Sequence, residues 1–179
     1  MSRNILVVTG SPRKGGNTSI MADTFIEGAR GAGHKVTRVD AGLANINGCI
    51  GCQYCFAHQG ECFQKDDMQD IYPLIRACDT LVYATPIYYF TFPAQFKAFM
   101  DRMFCGLANP FGTKNTALLT VFEDKDETIS KHIIDTYRIG VAYSKWNDLG
   151  VVAINNCFEK GAIESDPRLE EVRTFGASL

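Results

Sequence analysis

The sequence predicts an α/β fold whose parallel sheet is covered by helices on both faces. Three observations predict it. Five apolar strand-like runs recur along the 179 residues. The first, third and fifth are nearly continuous in apolar residues, as strands buried on both faces are. Stretches with helical periodicity separate the runs, so each strand reaches the next by a right-handed crossover.

The elements follow in order. Asn4 to Val8 reads as a buried strand, and the loop Gly10 to Ser19 leaves it and opens a helix. Met21, Phe25 and Ala29 share one face of that helix. Val36 to Val39 is the second strand. Met68, Ile71, Tyr72 and Ile75 form an i, i+3, i+4, i+7 stripe, with Asp66 and Asp67 as candidate N-caps. Leu81 to Ala84 is the third strand. Phe96, Phe99, Met100, Met103 and Phe104 repeat the helical stripe behind Pro93, a residue suited to a first turn. Ala117 to Phe122 is the fourth strand, Ile129, Ile133, Tyr137 and Val141 mark a helix, and Val151 to Ile154 is the fifth strand. Asp166-Pro167 begins a short last helix that Gly176 is expected to stop. Internal repeats, low-complexity stretches and linkers are lacking, so residues 1–179 are expected to form a single domain.

Composition narrows the function. The chain is 46% hydrophobic and 21% charged, with a net charge of −2. Without a basic stripe, nucleic acid is excluded as a partner. No apolar run approaches the ~20 residues of a membrane span. The N-terminal residues enter a strand directly rather than a secretory signal, so a cytoplasmic location is expected. The seven cysteines are an odd number and are not expected to form a disulfide framework there.

Parallel sheets bind ligands beyond the carboxyl ends of their strands. The first such loop reads Gly-Ser-Pro-Arg-Lys-Gly-Gly-Asn-Thr-Ser from Gly10 to Ser19. A strand–loop–helix unit offers free backbone N–H groups and a positive helix end to an anion. Gly16 and Asn17 stand where a triphosphate loop needs Lys and Ser/Thr. Pro12 stands where a dinucleotide fingerprint needs its second glycine. What remains is a cradle for a terminal monophosphate, such as that of flavin mononucleotide, or an ordinary turn whose Ser and Thr only cap the helix.

The loop after the third strand reads Pro86-Ile87-Tyr88-Tyr89-Phe90-Thr91-Phe92-Pro93. Connecting loops are normally polar. An aromatic loop beside a phosphate cradle provides a wall for a flat ring such as isoalloxazine; the alternatives are burial in the local core or in a subunit interface. Ring contact is assigned to Pro86 to Phe90 and interface burial to Phe92.

With these loops and Lys97 through Phe99-Met100-Asp101-Arg102, the chain resembles the NADPH-dependent FMN reductase-like branch of the flavodoxin-fold family, over roughly its first 105 residues. The resemblance implies a flavodoxin-like three-layer sandwich with strand order 2-1-3-4-5, bound FMN, and assembly as a homodimer or homotetramer. Carried over by position, Ser11, Arg13, Asn17, Thr18 and Ser19 would hold the phosphate, and Pro86, Ile87, Tyr88 and Tyr89 would contact the ring. Lys97 and Arg102 are read as solvated helix charges. The fourth strand departs from the family in ending Val121-Phe122-Glu123-Asp124, where small residues are usual. Acidic groups there would repel the phosphates of a nicotinamide donor.

Cys49, Cys52, Cys55 and Cys62 read Cys-x2-Cys-x2-Cys-x6-Cys after the second strand. Four thiolates at compact spacing suit a [4Fe–4S] cluster. Zinc is an alternative, although structural zinc sites usually separate two close pairs by a longer insert, and a third reading is a set of partly buried thiols. The segment is similar to the cluster motif of iron–sulfur flavoproteins in the same branch. Cys78, Cys105 and Cys157 read as small buried hydrophobes, and His34 and His132 as surface residues.

These readings lead to an expected function. The protein would pass electrons from NAD(P)H through FMN to a small acceptor such as a quinone, an azo or nitro compound, or free flavin. The flavin carries such chemistry, so no residue is assigned as a catalytic acid or base. Two other functions are open: an iron–sulfur flavoprotein exchanging single electrons with a ferredoxin-like protein, and a non-catalytic flavin-binding redox sensor.

Overall fold

The computed structural model describes residues 2–179. Five parallel strands form one sheet in the order β2-β1-β3-β4-β5. They are β1 (Asn4–Thr9), β2 (Lys35–Val39), β3 (Thr80–Pro86), β4 (Asn115–Val121) and β5 (Asn147–Ile154). The helices are α1 (Asn17–Gly31), α2 (Tyr54–Ala57), α3 (Met68–Ala77), α4 (Ala94–Arg102), α5 (Lys131–Tyr143) and α6 (Leu169–Ser178). This is the flavodoxin-like arrangement that the strand–helix alternation and the resemblance imply. Among the described residues, no helix is long and apolar enough to cross a membrane.

The period of two along each strand divides the core. Leu6, Val8, Leu81, Tyr83 and Leu118 face one side, where they pack with Ile71 and Ile75 of α3, Phe96 and Phe99 of α4, and Ile133 and Tyr137 of α5. Ile5, Val7, Val82, Ala84, Ala117 and Leu119 face the other, against Met21 and Phe25 of α1 and Val172 of α6. Central strands are therefore mostly apolar on both faces, with Thr9, Thr80, Thr85, Thr116 and Thr120 as buried polar residues. The edge strand β2 is not, and Lys35 and Thr37 are exposed in it.

Gly176 does not stop the last helix; α6 runs through it to Ser178. Its role is close approach. A Cβ built on Gly176 would lie 2.3 Å from the Phe25 carbonyl oxygen, and one on Gly28 would lie 2.0 Å from that of Arg173. The two glycines let α1 and α6 cross backbone against backbone. Two other boundaries also differ from expectation. Pro93 is the N-cap of α4 rather than its first helical residue, and Ile129 lies in the short 3-10 turn Glu127–Ser130 that precedes α5.

Candidate functional site

The loops at the carboxyl ends of β1, β3, β4 and β5 enclose a cleft of about 270 Å³. Ser11, Arg13, Asn17, Thr18, Pro86, Ile87, Tyr88 and Tyr89 all line it. Ser19 does not; its hydroxyl accepts a hydrogen bond from Arg38 Nη2 at 2.8 Å. Gly16, Val121, Phe122, Glu123, Cys157 and Phe158 complete the wall.

One end of the cleft is polar. Gly16 is the N-cap of α1, and no side chain caps the helix. The first intrahelical bond runs from Ile20 N–H to the Gly16 carbonyl, so the first-turn N–H groups before it have no helical acceptor. An anion at this end would take those N–H groups and the positive helix end together. Ser11 and Thr18 are buried beside them, and Arg13 is exposed at the mouth. Asn17 offers the cleft its backbone N–H, while its side-chain amide is engaged within the protein. Its side chain donates to the carbonyls of Cys157 (3.1 Å) and Glu159 (2.8 Å) and accepts from Gly161 N–H (2.9 Å). That amide ties the phosphate loop to the segment after β5. A second tie runs through Gly42, whose N–H donates to the Thr9 carbonyl. A Cβ there would sit 2.5 Å from Ser11 backbone atoms, so the glycine is what lets the loop after β2 lie against the cradle.

The other end is aromatic. Tyr88 and Thr91 pair across a two-residue turn, with Tyr88 N–H to Thr91 O at 2.9 Å and Thr91 N–H to Tyr88 O at 3.1 Å. The central residues Tyr89 and Phe90 both have positive φ, 46° and 68°. Turns of this kind favour Asn-Gly, because bulky side chains are strained there. The strain projects Tyr89 outward with 94% of its surface exposed. Ile87, Tyr89, Phe90, Phe122, Glu123, Asp124 and Ile129 form an adjoining hollow of about 350 Å³. Phe92 is not an interface residue in this arrangement. It is buried in the protein's own core, 5.6 Å from Phe96 between ring centroids. Free N–H groups and hydroxyls at one end, with a strained aromatic wall at the other, fit an FMN molecule.

The four-cysteine segment lies elsewhere. Cys49, Cys52, Cys55 and Cys62 border one small apolar pocket together with Arg102 and Cys105. The pocket holds about 20 Å³, enough for roughly one water. Among the described residues, no three His, Cys, Asp or Glu side chains are gathered to hold a metal ion. Cys55 is buried while Cys49 and Cys52 are exposed. Burial, and then the nearby Cys62 and Cys49 thiols, push the Cys55 thiol above its ordinary value. Cys78 and Cys105 are buried as expected, and burial pushes the Cys78 thiol up to about 11. Cys157 is also buried but lines the cleft.

Arg102 corrects the sequence reading. It is 2% exposed, not a solvated helix charge. Its Nη1 donates to Asp66 Oδ2 at 2.6 Å and to the Asn47 carbonyl at 2.9 Å, and its Nη2 donates to Asp66 Oδ1 at 3.1 Å. Burial opposes the Asp66 carboxylate, but the Arg102 guanidinium and the Asn47 N–H outweigh it and hold the carboxyl below the usual carboxylate range. Asp66 therefore fixes the cysteine segment in addition to preceding α3. Nε of Arg102 is buried and has no acceptor within the protein. Soft thiolates beside an unused buried donor are chemistry suited to an anionic iron–sulfur group. Lys97 is exposed, as expected, and pairs with Asp101 one turn on.

Comparison with known proteins follows from this geometry. The family model for NADPH-dependent FMN reductase matches residues 3–136. An iron-sulfur flavoprotein of Archaeoglobus fulgidus is 39% identical over 109 residues, covering 61% of this chain and 47% of that protein. An iron-sulfur flavoprotein of Methanosarcina thermophila is 34% identical over 108 residues, covering 60% of this chain and 56% of that protein. The chain thus spans about half the length of the curated relatives it matches. Among solved structures, an NAD(P)H:quinone oxidoreductase from Methanothermobacter marburgensis superposes with a TM-score of 0.81 at 15% identity, over 99% of this chain and 96% of that one. That likeness is one of fold.

Proposed function

Because the chain belongs to the NADPH-dependent FMN reductase family, we propose that it binds FMN in the cleft and works as an NAD(P)H-dependent flavin oxidoreductase with a small acceptor. One observation carries this reading: a single cleft joins an uncapped helix N-terminus to an apolar aromatic wall. When bound, FMN supplies acceptance of a hydride and onward delivery of its electrons.

The chain's own residues bind and orient. The first-turn N–H groups of α1, with Ser11, Thr18 and Arg13, would hold the phosphate. Asn17 acts indirectly, by keeping the loop closed against residues 157–163. Pro86, Ile87, Tyr88 and Tyr89 would form the apolar seat of the ring, and the open hollow beside Tyr89 and Phe90 suits a flat acceptor such as a quinone, an azo or nitro compound, or free flavin. Glu123 lies at the rim and Asp124 borders the hollow; both carboxylates oppose the phosphates of a nicotinamide donor. Exposed Ile50, Phe56, Phe104 and Leu107 accord with assembly as a homodimer or homotetramer, which light scattering on the eluting protein measures.

The phosphate cradle is tested by comparing FMN with riboflavin in a fluorescence titration of flavin-free protein. FMN is expected to bind at least tenfold more tightly, and Thr18→Ala and Ser11→Ala to narrow that gap. Equal affinity for the two flavins overturns the cradle. Oxidation of NADPH with menadione as acceptor then tests the activity.

The cysteine pocket favours a second reading of the same protein. In it, Cys49, Cys52, Cys55 and Cys62 hold a [4Fe–4S] cluster that passes single electrons between FMN and a ferredoxin-like protein. The donor chemistry beside Arg102 supports it. Iron and sulfide assays on anaerobically purified protein decide it, and flavin absorption without iron overturns it.

A further inference from the structure

We propose that Arg102 is the cationic hydrogen-bond donor to the sulfur-bearing group held by the four cysteines, and that it sets the reduction potential of that group. This rests on the cluster reading above.

A guanidinium has five N–H bonds in a rigid planar fork. In Arg102 the end-on pair faces Asp66, and the second N–H of Nη1 reaches the Asn47 carbonyl. Two N–H bonds are left, on Nε and on the outer side of Nη2, and they lie along one edge of the plane. Nε is buried without an acceptor, and Arg102 lines the pocket that the four cysteines border. A buried unpaired donor on a charged group is costly. It persists where a ligand completes it. The acceptor best matched to this place is anionic, takes a flat two-pronged donor, and sits among thiols. The sulfurs of a thiolate-ligated cluster meet all three conditions.

The rest of the pocket supports the assignment. Asp66 neutralises the guanidinium from the adjoining end, through Nη1 and Nη2, and fixes its plane. The side chain therefore has no freedom to turn Nε elsewhere. Donors to cluster sulfurs raise the reduction potential, because they stabilise the more negative, reduced form. Lysine at this position keeps the charge beside Asp66 but cannot present a parallel pair of N–H bonds.

The test uses Arg102→Lys in the full chain, reconstituted anaerobically with iron and sulfide alongside the unmodified protein. Iron content and FMN uptake are expected to match. The cluster's one-electron midpoint, followed by absorbance and electron paramagnetic resonance during reductive titration, is expected to fall by at least about 59 mV, a tenfold shift toward the oxidised form. An unchanged midpoint at full iron content overturns the role of Arg102 and leaves the cluster reading intact. Failure of the unmodified protein to take up iron overturns both. If Arg102→Lys does not fold, Asp66→Asn with Arg102→Gln removes both buried charges together and takes its place. The same fall is expected there, and an unchanged midpoint again overturns the proposal.

Discussion

The cleft and the cysteine pocket are built by opposite means. The cleft rests on regular structure: four strand ends, the first turn of α1, and loops tied to one another by backbone and amide hydrogen bonds. The pocket rests on residues 40–67, whose only helix is the four-residue α2. That irregular segment is held by side chains: Arg102 of α4 reaches the Asn47 carbonyl and the Asp66 carboxylate, Gln69 of α3 donates to the Cys62 and Gln64 carbonyls, and Asn109 donates to the Gln59 carbonyl, with the buried ion pair the one charged tie among them. A site made of backbone N–H groups tolerates many side-chain changes. A site whose charged tie is a buried ion pair is strongly destabilised by the loss of either partner.

Asp66→Asn is the strongest test of this difference. It leaves the Arg102 charge buried without a counter-charge and is expected to cost about 3–5 kcal/mol, measured as a lowered midpoint of urea unfolding. A loss below about 1 kcal/mol would erase the contrast. The same pair fixes a pH dependence. The folded pKa of Asp66 is depressed, so the unfolded chain binds its proton more readily. The pair's contribution is full above the ordinary carboxylate pKa of about 3.9 and is lost as pH falls through the lower folded value. Stability of the unmodified protein should therefore decline more steeply below about pH 4 than that of Asp66→Asn.

Asn17→Ala strikes the cleft's main tie. Loss of its amide bonds is expected to cost about 2 kcal/mol and to weaken FMN binding, while iron uptake stays unchanged. Equal damage to both sites would mean that they are not separately supported.

Tyr89→Asn with Phe90→Gly should move stability the other way. Relief of two positive-φ positions is expected to raise it by about 1–2 kcal/mol, with weaker flavin binding by titration. Unchanged stability would show that the turn carries no strain. The smallest effect is expected for Glu123→Gln, with a roughly threefold lower KM for NADPH, under 1 kcal/mol. The gain should fade as salt rises. A KM indifferent to this change would remove the acidic rim as a factor.

The sheet was readable because its central strands are buried on both faces and so spell continuous apolar runs. The two loops that line the cleft were readable because strand-end loops are short and local in sequence. Other features depended on distant residues. Phe158 lines the cleft from beyond β5, toward the opposite end of the sequence from the loop that opens α1. The partners of the Asn17 amide, Cys157, Glu159 and Gly161, lie too far along the chain to be read from its neighbours. Arg102 looked solvated because exposed Lys97 and Asp101 surround it on α4, and only the fold brings Asp66 beneath it. Gly176 looked like a stop signal because the helix it touches begins at residue 17.

The tie at Asn17 also has a consequence for the order of assembly. Its amide closes on the carbonyls of Cys157 and Glu159 and on Gly161 N–H. During translation the ribosome delivers the cradle first and its clasp some 140 residues later. A nascent chain that has emerged only through β4 therefore holds an open loop. On the proposed reading the cradle would reach its closed form only once the segment after β5 has emerged, and full-affinity loading with flavin would be a late event in the life of each chain.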